Sequence, residues 1–312
     1  MDKSFTFLVI EPIHSCGIGV LEKYGKVIQL SPDAGWKDIL KFCREADAFI
    51  TRGFIKIPRE VLDVSKNLKV IGVHGVGVDH IDVDFAEKKG IRIVRTPEAL
   101  TDSVAEFTVG LILALLRKIP LADGAVRKGE WNKKYSGLVG VELMGKTIGI
   151  LGFGRIGSAV AKRLCGFNVN LVYYKRNRSV ELERQLGVKY VSFNELLKIS
   201  DIISIHVPLT SETYHMISFK EFALMKRGVY IVNTARGAVI DEKALYKALV
   251  SGKVAGAALD VFESEPLSLD NPLTRFDNVI LTPHLAANCE ETLKRLAVAV
   301  AEKVIQALKE YT

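Results

Sequence analysis

Short apolar runs rich in β-branched residues recur along the chain and alternate with longer amphipathic stretches. In the first third of the chain these runs predict strands at Phe5–Ile10, Val27–Leu30, Ala48–Thr51, Lys69–Val73 and Ile91–Arg95. Farther along they predict a second set at Thr147–Leu151, Asn170–Tyr174, Ile202–His206, Val229–Asn233, Ala255–Leu259 and Val279–Leu281. Helical periodicity marks intervening stretches such as Lys37–Glu45, Ser158–Leu164 and Glu242–Val250. Strands that alternate with helices predict an α/β protein with two open parallel sheets.

Two further helices frame the second set of strands. An apolar helix from about Thr101 to Ile119 joins the two sets, and an amphipathic helix from about Glu290 to Leu308 follows the last strand. Because this final helix comes after the second domain is complete, we predict that it returns to the first domain. The predicted division is residues 1–98 with 286–312 in one domain and residues 99–285 in the other.

Composition and charge narrow the classes of function. Of the 312 residues 48% are hydrophobic, which allows two buried cores and excludes a disordered chain. Lys and Arg number 43 against 36 for Asp and Glu, a net charge of +7, but no long run of like charges occurs. We therefore expect neither a nucleic-acid partner nor a membrane-surface role.

Cysteine spacing and hydropathy indicate a cytoplasmic protein. The chain has no CxxC pair, so neither a metal site nor a redox motif is predicted from its cysteines, which are Cys16, Cys43, Cys165 and Cys289. The longest apolar run, Phe107–Leu116, is shorter than the roughly 20 residues that span a bilayer. The first residues lack the pattern of a secretory signal. We expect a cytoplasmic protein without a membrane segment.

A glycine-rich segment directly follows the predicted strand Thr147–Leu151 and opens the next helix. Its sequence, G-F-G-R-I-G, matches the G-x-G-x-x-G fingerprint in the strand-to-helix context that dinucleotide binding requires. The first glycine permits a tight turn, the second lets the pyrophosphate approach the backbone, and the third allows close helix packing. The helix start supplies N–H donors to phosphate. The predicted cofactor-binding residues here are Gly152, Gly154, Arg155, Ile156 and Gly157.

The same fingerprint predicts an acidic residue about 20 positions farther on, which would hold the ribose hydroxyls. The next strand ends instead in a basic turn, Lys175-Arg176-Asn177-Arg178. Arg and Lys suit a ribose 2′-phosphate, so one interpretation is an NADP(H) preference with Lys175 and Arg176 as cofactor ligands. The other interpretation is a solvated basic turn, and the sequence leaves both open.

Polar side chains follow three strands of the second set. The segments are Asn233–Gly237, Leu259–Pro266 and Thr282–Ala287. Open α/β sheets bind ligands at the carboxyl ends of their strands. A cation, a carboxylate and an imidazole from these segments are therefore candidates for one site beside a nicotinamide, although periodicity alone does not show that they converge.

These segments resemble the D-isomer-specific 2-hydroxyacid dehydrogenases, and within that family they are most similar to the D-3-phosphoglycerate dehydrogenases. The similarity covers essentially the whole chain and rests on Leu151–Gly157, Asn233–Gly237, Leu259–Pro266 and Pro283–Leu285 in the family's order. The resemblance implies a Rossmann dinucleotide-binding domain inserted in a flavodoxin-like substrate domain. It also implies a homodimer through the nucleotide-binding domain, and a short form without the regulatory domain of some longer relatives.

The resemblance implies a catalytic set of Arg236, Glu265 and His284 acting with NAD(P)(H). An imidazole exchanges protons near neutral pH, so His284 is the candidate acid–base. Glu265 would stabilise its protonated form, and Arg236 would bind the substrate carboxylate. Further substrate contacts are implied at Arg52, Val76 and Gly77. Further cofactor contacts are implied at Val207, Pro208, Thr234, Ala235, Asp260, His284 and Ala286.

The sequence leaves the substrate open. Val73 stands where phosphoglycerate dehydrogenases commonly carry an arginine, and His74 replaces a small residue. Because a phosphate dianion favours cationic partners, this departure favours a glyoxylate, hydroxypyruvate or other 2-keto acid reductase. The resemblance as a whole still makes a dehydrogenase acting on 3-phosphoglycerate or a related acid the first hypothesis and the reductase the second, with Arg52 and Lys56 as candidate phosphate ligands. A third alternative is a non-enzymatic, nucleotide-sensing corepressor of the same fold, against which the intact catalytic set argues.

Overall fold

A computed structural model describes residues 4–311 of the chain. The chain forms two compact units, each built around one parallel sheet. The first unit comprises the residues up to Leu100 and those from Asn288, and the second comprises Thr101–Ala287.

Every strand that the hydrophobic pattern predicts is present, with bounds that agree within about two residues. The first unit contains β1 (Phe5–Val9), β2 (Gly25–Gln29), β3 (Ala48–Thr51), β4 (Val70–Val73) and β5 (Arg92–Arg95). The second contains β6 (Thr147–Leu151), β7 (Asn170–Tyr174), β8 (Lys189–Tyr190), β9 (Ile202–Ile205), β10 (Val229–Asn233), β11 (Val254–Leu259) and β12 (Val279–Leu281). The sequence does not predict β8, because two residues at a sheet edge carry no periodic signal.

Two helix predictions are corrected. The helices are α1 (Ser15–Leu21), α2 (Trp36–Ile39), α3 (Arg59–Val64), α4 (Val83–Lys88), α5 (Thr101–Leu116), α6 (Ile119–Arg127), α7 (Arg155–Leu164), α8 (Val180–Leu186), α9 (Phe193–Ile199), α10 (Phe219–Leu224), α11 (Glu242–Val250) and α12 (Glu290–Lys309). The predicted helix to Ile119 is wrong at its end, because Lys118 adopts a left-handed φ of 54° and a separate helix follows. The predicted helix Lys37–Glu45 is also wrong, since α2 ends at Ile39 and turns follow. Within residues 4–311, no helix is both long and apolar enough to cross a membrane.

The sheet of the first unit has the order β2-β1-β3-β4-β5, with all neighbours parallel. This is the flavodoxin-like order. Helix α12 packs on β4, where Gly72 allows a close approach, since a Cβ there would overlap the side chain of Val304. Val300 and Val304 are fully buried in the resulting core.

The second unit has the sheet order β12-β11-β10-β9-β6-β7-β8, again fully parallel. The order reverses between β6 and β9, and such a switch point in an open α/β sheet is where ligands bind. Ile148 of β6 is buried in a core that includes Ile112 of α5 and Val160 of α7, and this packing fixes the loop between β6 and α7. The predicted fold class, two open parallel-sheet domains with a Rossmann and a flavodoxin-like order, is confirmed.

Candidate active site

Three glycines shape the loop between β6 and α7. Gly152 has a φ of 96°, and a Cβ there would lie 2.6 Å from the carbonyl carbon of His206. A Cβ on Gly157 would overlap the carbonyl oxygen of Gly152, whereas at Gly154 nothing lies within 4 Å of that position. The backbone at Gly154 is therefore accessible to a ligand. Helix α7 begins directly after it with Arg155 and Ile156, two other predicted cofactor-binding residues. An open backbone at a helix N-terminus fits a pyrophosphate group.

The basic turn after β7 presents its cations in different ways. Arg178 is committed to Glu183, with Nε 2.8 Å from Oε1 and Nη2 2.7 Å from Oε2. Arg176 pairs with Glu212 at 2.8 Å, but both side chains are well exposed, so the pair contributes little stability. Lys175 donates a long 3.3 Å hydrogen bond to Ser179 and, among residues 4–311, to no other group. Lys175 and Arg176 are thus the cations that can turn to a ligand at low cost.

Two other groups of predicted cofactor residues lie at strand ends of the same sheet. Val207 and Pro208 follow β9 against the glycine turn, where a Cβ on Gly152 would lie 2.7 Å from the Val207 nitrogen. Thr234 follows β10 and is buried, with its hydroxyl 2.9 Å from that of Thr108. The Thr234 side chain is therefore part of the core, which leaves its backbone for a ligand.

Asn233, to which the sequence assigns no role, shapes the turn that carries Arg236. Its Oδ1 accepts a hydrogen bond from the Ala235 amide at 3.0 Å, and its Nδ2 donates to the Arg236 carbonyl at 2.9 Å. The Arg236 guanidinium donates to the Ala235 carbonyl at 2.8 Å. A Cβ on Gly237 would overlap the backbone of Phe262, so this turn lies directly against the loop that follows β11.

His284 and Glu265 form a pair across two neighbouring strand ends. His284 Nδ1 lies 2.8 Å from Glu265 Oε2, and since a carboxylate only accepts, the imidazole N–H donates. Glu265 Oε1 accepts from the Phe262 amide at 3.0 Å. Burial acts to raise the pKa of Glu265, but the bond and charge of His284, the Phe262 amide and the charge of Arg236 together hold that pKa below its usual value. The carboxylate is consequently ionised at neutral pH.

Asp260 holds the turn in which His284 lies. His284 has a left-handed φ of 52°, and its amide donates to the Asp260 carbonyl at 2.9 Å. The Asp260 carboxylate accepts from the Thr282 hydroxyl at 2.6 Å and from the amides of Leu285 and Ala286, each at 2.9 Å. Burial raises the pKa of Asp260 against these hydrogen bonds. Both carboxylate oxygens therefore serve the turn, which adds a scaffolding function to the cofactor contact that the resemblance implies at Asp260 and Ala286.

The predicted substrate residues Arg52, Val76 and Gly77 belong to the first unit. The buried Glu11, which the sequence does not single out, accepts hydrogen bonds of 2.6 to 2.8 Å from Arg52 N, Phe54 N, Ile55 N and Thr51 Oγ1. The Arg52 guanidinium donates to the Pro12 carbonyl at 3.3 Å. Glu11 thus fixes the loop after β3 and, with it, the position of Arg52.

The loop after β4 combines open amides with a neutral histidine. Across residues 4–311, the amides of Val76 and Gly77 have no hydrogen-bond acceptor. The Nε2 atom of His74 is buried and, in the same range, also without a partner. Burial and then the charge of Arg52 lower the pKa of His74 to about 4, so this side chain is neutral at physiological pH.

Comparison with known proteins identifies the family. Residues 109–286 match the model of the D-isomer specific 2-hydroxyacid dehydrogenase NAD-binding domain. A glyoxylate reductase from Thermofilum pendens is 49% identical over 88% of this chain and 81% of its own. A D-3-phosphoglycerate dehydrogenase from Methanocaldococcus jannaschii is 46% identical over 97% of this chain, which spans only 57% of that relative.

A solved structure extends the similarity to three dimensions. The NADPH-dependent glyoxylate/hydroxypyruvate reductase from Sinorhizobium meliloti, in complex with NADP and malonate, superposes with a TM-score of 0.87 at 30% identity. The match covers 96% of this chain and 92% of that one. The predicted family, enzyme class and NAD(P)(H) cofactor are confirmed. The chain belongs to the D-isomer specific 2-hydroxyacid dehydrogenases and is an NAD(P)-dependent oxidoreductase.

Proposed function

We propose that this protein uses NADPH to reduce a small 2-keto acid such as glyoxylate or hydroxypyruvate at C2. The observation that carries the proposal is the 2.8 Å pair of His284 and Glu265, because Glu265 follows β11 and β11 neighbours β10, after which the turn of Arg236 lies. The similarity to enzymes named glyoxylate reductase and glyoxylate/hydroxypyruvate reductase supports this substrate class.

The proposed roles follow from the chemistry of three side chains. A nicotinamide cofactor, when bound, would supply the hydride for reduction. Arg236 binds the substrate carboxylate through charge-assisted hydrogen bonds and thereby orients C2. Because Nδ1 of His284 is bonded to Glu265, Nε2 is the ring atom that gives a proton to the substrate oxygen, and that takes it back in oxidation. The ionised Glu265 stabilises the imidazolium.

The first unit bears on the choice of substrate. The open amides of Val76 and Gly77 are proposed as a second contact for the substrate carboxylate. Val73 is apolar and His74 is neutral, so neither residue supplies a positive charge for a phosphate dianion. The second candidate substrate, 3-phosphoglycerate, is favoured by Arg52, which Glu11 holds in a fixed loop.

We propose NADP(H) as the preferred cofactor. The turn after β7 carries Lys175 and Arg176 where an acidic ribose ligand would stand in an NAD-specific site. The hydrogen bond of Lys175 to Ser179 is long and the Arg176–Glu212 pair is exposed, so a phosphate can compete for both cations at low cost. The remaining cation, Arg178, is paired with Glu183.

We also propose that two copies associate through the second unit. The segment from α6 to residue 139 exposes large apolar side chains, with Trp131 63%, Tyr135 76% and Val139 64% exposed. Apolar surface of this kind marks protein interfaces.

Light scattering after gel filtration is expected to give twice the chain mass, and the double substitution Trp131→Glu and Tyr135→Glu is expected to give a monomer. Leu269→Glu, at another exposed apolar position, is the control that should stay dimeric.

A substrate panel tests the proposed reaction. NADPH and NADH oxidation would be followed with glyoxylate, hydroxypyruvate, phosphohydroxypyruvate and a bulkier keto acid. The highest kcat/KM is expected for NADPH with glyoxylate or hydroxypyruvate. A higher value for phosphohydroxypyruvate would favour the second candidate, and no turnover with any acid despite tight cofactor binding would contradict both.

A further inference from the structure

Tyr173 links the glycine loop between β6 and α7 to the basic turn after β7. It is fully buried in β7, and its ring stacks on that of Phe153, in the glycine loop, with centroids 4.1 Å apart. On its other side it meets Tyr190 of β8 edge-on at 5.5 Å. The aromatic stack therefore joins the glycine loop, β7 and β8 in one packed layer.

The Tyr173 hydroxyl closes the turn by two hydrogen bonds. It donates to Glu183 Oε1 at 2.6 Å and accepts from the Ser179 amide at 2.9 Å. A buried hydroxyl costs free energy unless it is bonded, so these two bonds fix where residue 179 lies relative to the core. Ser179 in turn accepts the bond from Lys175, at the other end of the turn.

Glu183 accepts hydrogen bonds from both a neutral and a charged side chain at this turn. Its side chain is 11% exposed, and it receives both the Tyr173 hydroxyl and the two-point contact of Arg178. These bonds lower the pKa of Glu183 to about 2. The Arg178 guanidinium also lies 5.7 Å from the Tyr190 ring centroid. The Glu183 charge is thus neutralised by Arg178 and does not offset the positive charge of Lys175, while Arg176 has a separate, exposed partner in Glu212.

From this arrangement we infer that Tyr173 and Glu183 are positioning residues for cofactor selectivity: they hold the turn of residues 175–179 so that Lys175 and Arg176 meet a 2′-phosphate. The inference rests on the proposed NADP(H) site. Without the Tyr173 hydroxyl, the Ser179 amide loses its acceptor and Glu183 loses one of its donors. The turn then samples other conformations, and recognition of the 2′-phosphate is weakened more than recognition of the shared adenosine and pyrophosphate.

Binding of nucleotide fragments by calorimetry tests this without turnover. Tyr173→Phe removes one oxygen and keeps the ring stack. Glu183→Gln removes the charge while keeping the side-chain shape, and it is made together with Arg178→Gln so that no unpaired cation is added to the turn. Affinity for 2′,5′-ADP is expected to fall by about tenfold in each, the equivalent of one or two buried hydrogen bonds, while affinity for 5′-AMP changes by less than about threefold. Tyr174→Phe is the matched control, because the neighbouring hydroxyl has no hydrogen bond within residues 4–311, and it should bind both as the wild type does.

The outcomes separate this inference from the cofactor proposal. A wild type that binds 5′-AMP more tightly than 2′,5′-ADP would overturn the NADP(H) preference, yet a fall in the ratio in Tyr173→Phe would still support the positioning role. An unchanged ratio in both variants would overturn that role. Equal loss of both ligands, with a lower unfolding temperature, would also overturn it, because the residues would then serve folding alone. If Tyr173→Phe does not fold, the Glu183 variant gives the same comparison, because it changes the acceptor of the Tyr173 hydroxyl and leaves the buried ring unchanged.

Discussion

The imidazole of His284 donates a 2.8 Å hydrogen bond to Glu265, joining the ends of β12 and β11. Asp260, the residue directly after β11, supports the geometry of this pair. Its carbonyl and its carboxylate accept hydrogen bonds from backbone amides of the turn that contains His284. A left-handed φ is costly for a residue other than glycine, so these bonds are what keep His284 in place.

Loss of the Glu265 charge is expected to change the pH dependence of catalysis. In the proposed reaction His284 gives a proton to the substrate during reduction, and an ionised neighbour favours the protonated form of an imidazole. In Glu265→Gln the alkaline limb of kcat/KM for keto acid reduction should move to lower pH by roughly one unit. The measurement is a pH profile of initial rates with NADPH for both proteins. Superimposable profiles would remove Glu265 from this role.

Asp260→Asn is expected to loosen the His284 turn. An amide nitrogen cannot accept, so the Leu285 or the Ala286 amide is left without a partner in a buried site. The cost is about 1–3 kcal/mol of unfolding free energy, with a fall in kcat as His284 loses its position. Urea unfolding and steady-state rates would be compared with Asp270→Asn, a control at an exposed position. Wild-type stability and kcat in Asp260→Asn would contradict the account.

A reversal of charge at Lys175 is expected to change cofactor preference. In Lys175→Asp a carboxylate repels the 2′-phosphate and can accept hydrogen bonds from ribose hydroxyls, so kcat/KM should fall for NADPH and rise for NADH. The ratio of the two values is the quantity to measure. Lys189→Asp, an exposed cation on β8, is the matched control. If Lys175→Asp keeps the same ratio of kcat/KM for NADPH over NADH, this turn does not discriminate between the two cofactors.

Acid is expected to destabilise the protein partly through His206. Burial lowers the pKa of His206 to about 3, whereas an imidazole in an unfolded chain titrates near about 6.5. Below that pH the unfolded state binds more protons, so the stability that neutral His206 allows is lost as the pH falls from 6.5 toward 3. Replacement His206→Gln should reduce the loss of unfolding free energy between pH 7 and pH 5 by about 1–2 kcal/mol. Urea titrations at the two pH values test this, and equal losses in both proteins would contradict it.

The strands could be predicted from the sequence because a strand covered on both faces is a continuous apolar run. The bounds of β6, β7, β10 and β12 coincide with the predicted ones for this reason. The break between α5 and α6 could not be predicted, since Lys118 takes a left-handed conformation without the glycine that would signal it.

The candidate site residues at the strand ends could be predicted from the sequence, but the residues that hold their loops in place could not. Motifs in the family's order predict Arg236, Glu265 and His284 as the catalytic set. The bonds that position such residues join distant parts of the chain: Glu11 binds a backbone amide 41 residues away at Arg52, and Asp260 binds one 26 residues away at Ala286. Such pairs leave no local pattern, so only the folded chain reveals them.

The most direct test of the account is the rate of His284→Asn. Asparagine keeps a polar side chain but cannot exchange a proton near neutral pH, so kcat for NADPH-dependent reduction of glyoxylate or hydroxypyruvate should fall by roughly 10²–10⁴. NADPH affinity, measured by calorimetry on the same protein, should change by less than about threefold. A loss of activity below threefold, with cofactor binding intact, would contradict the assignment of His284 as the acid–base.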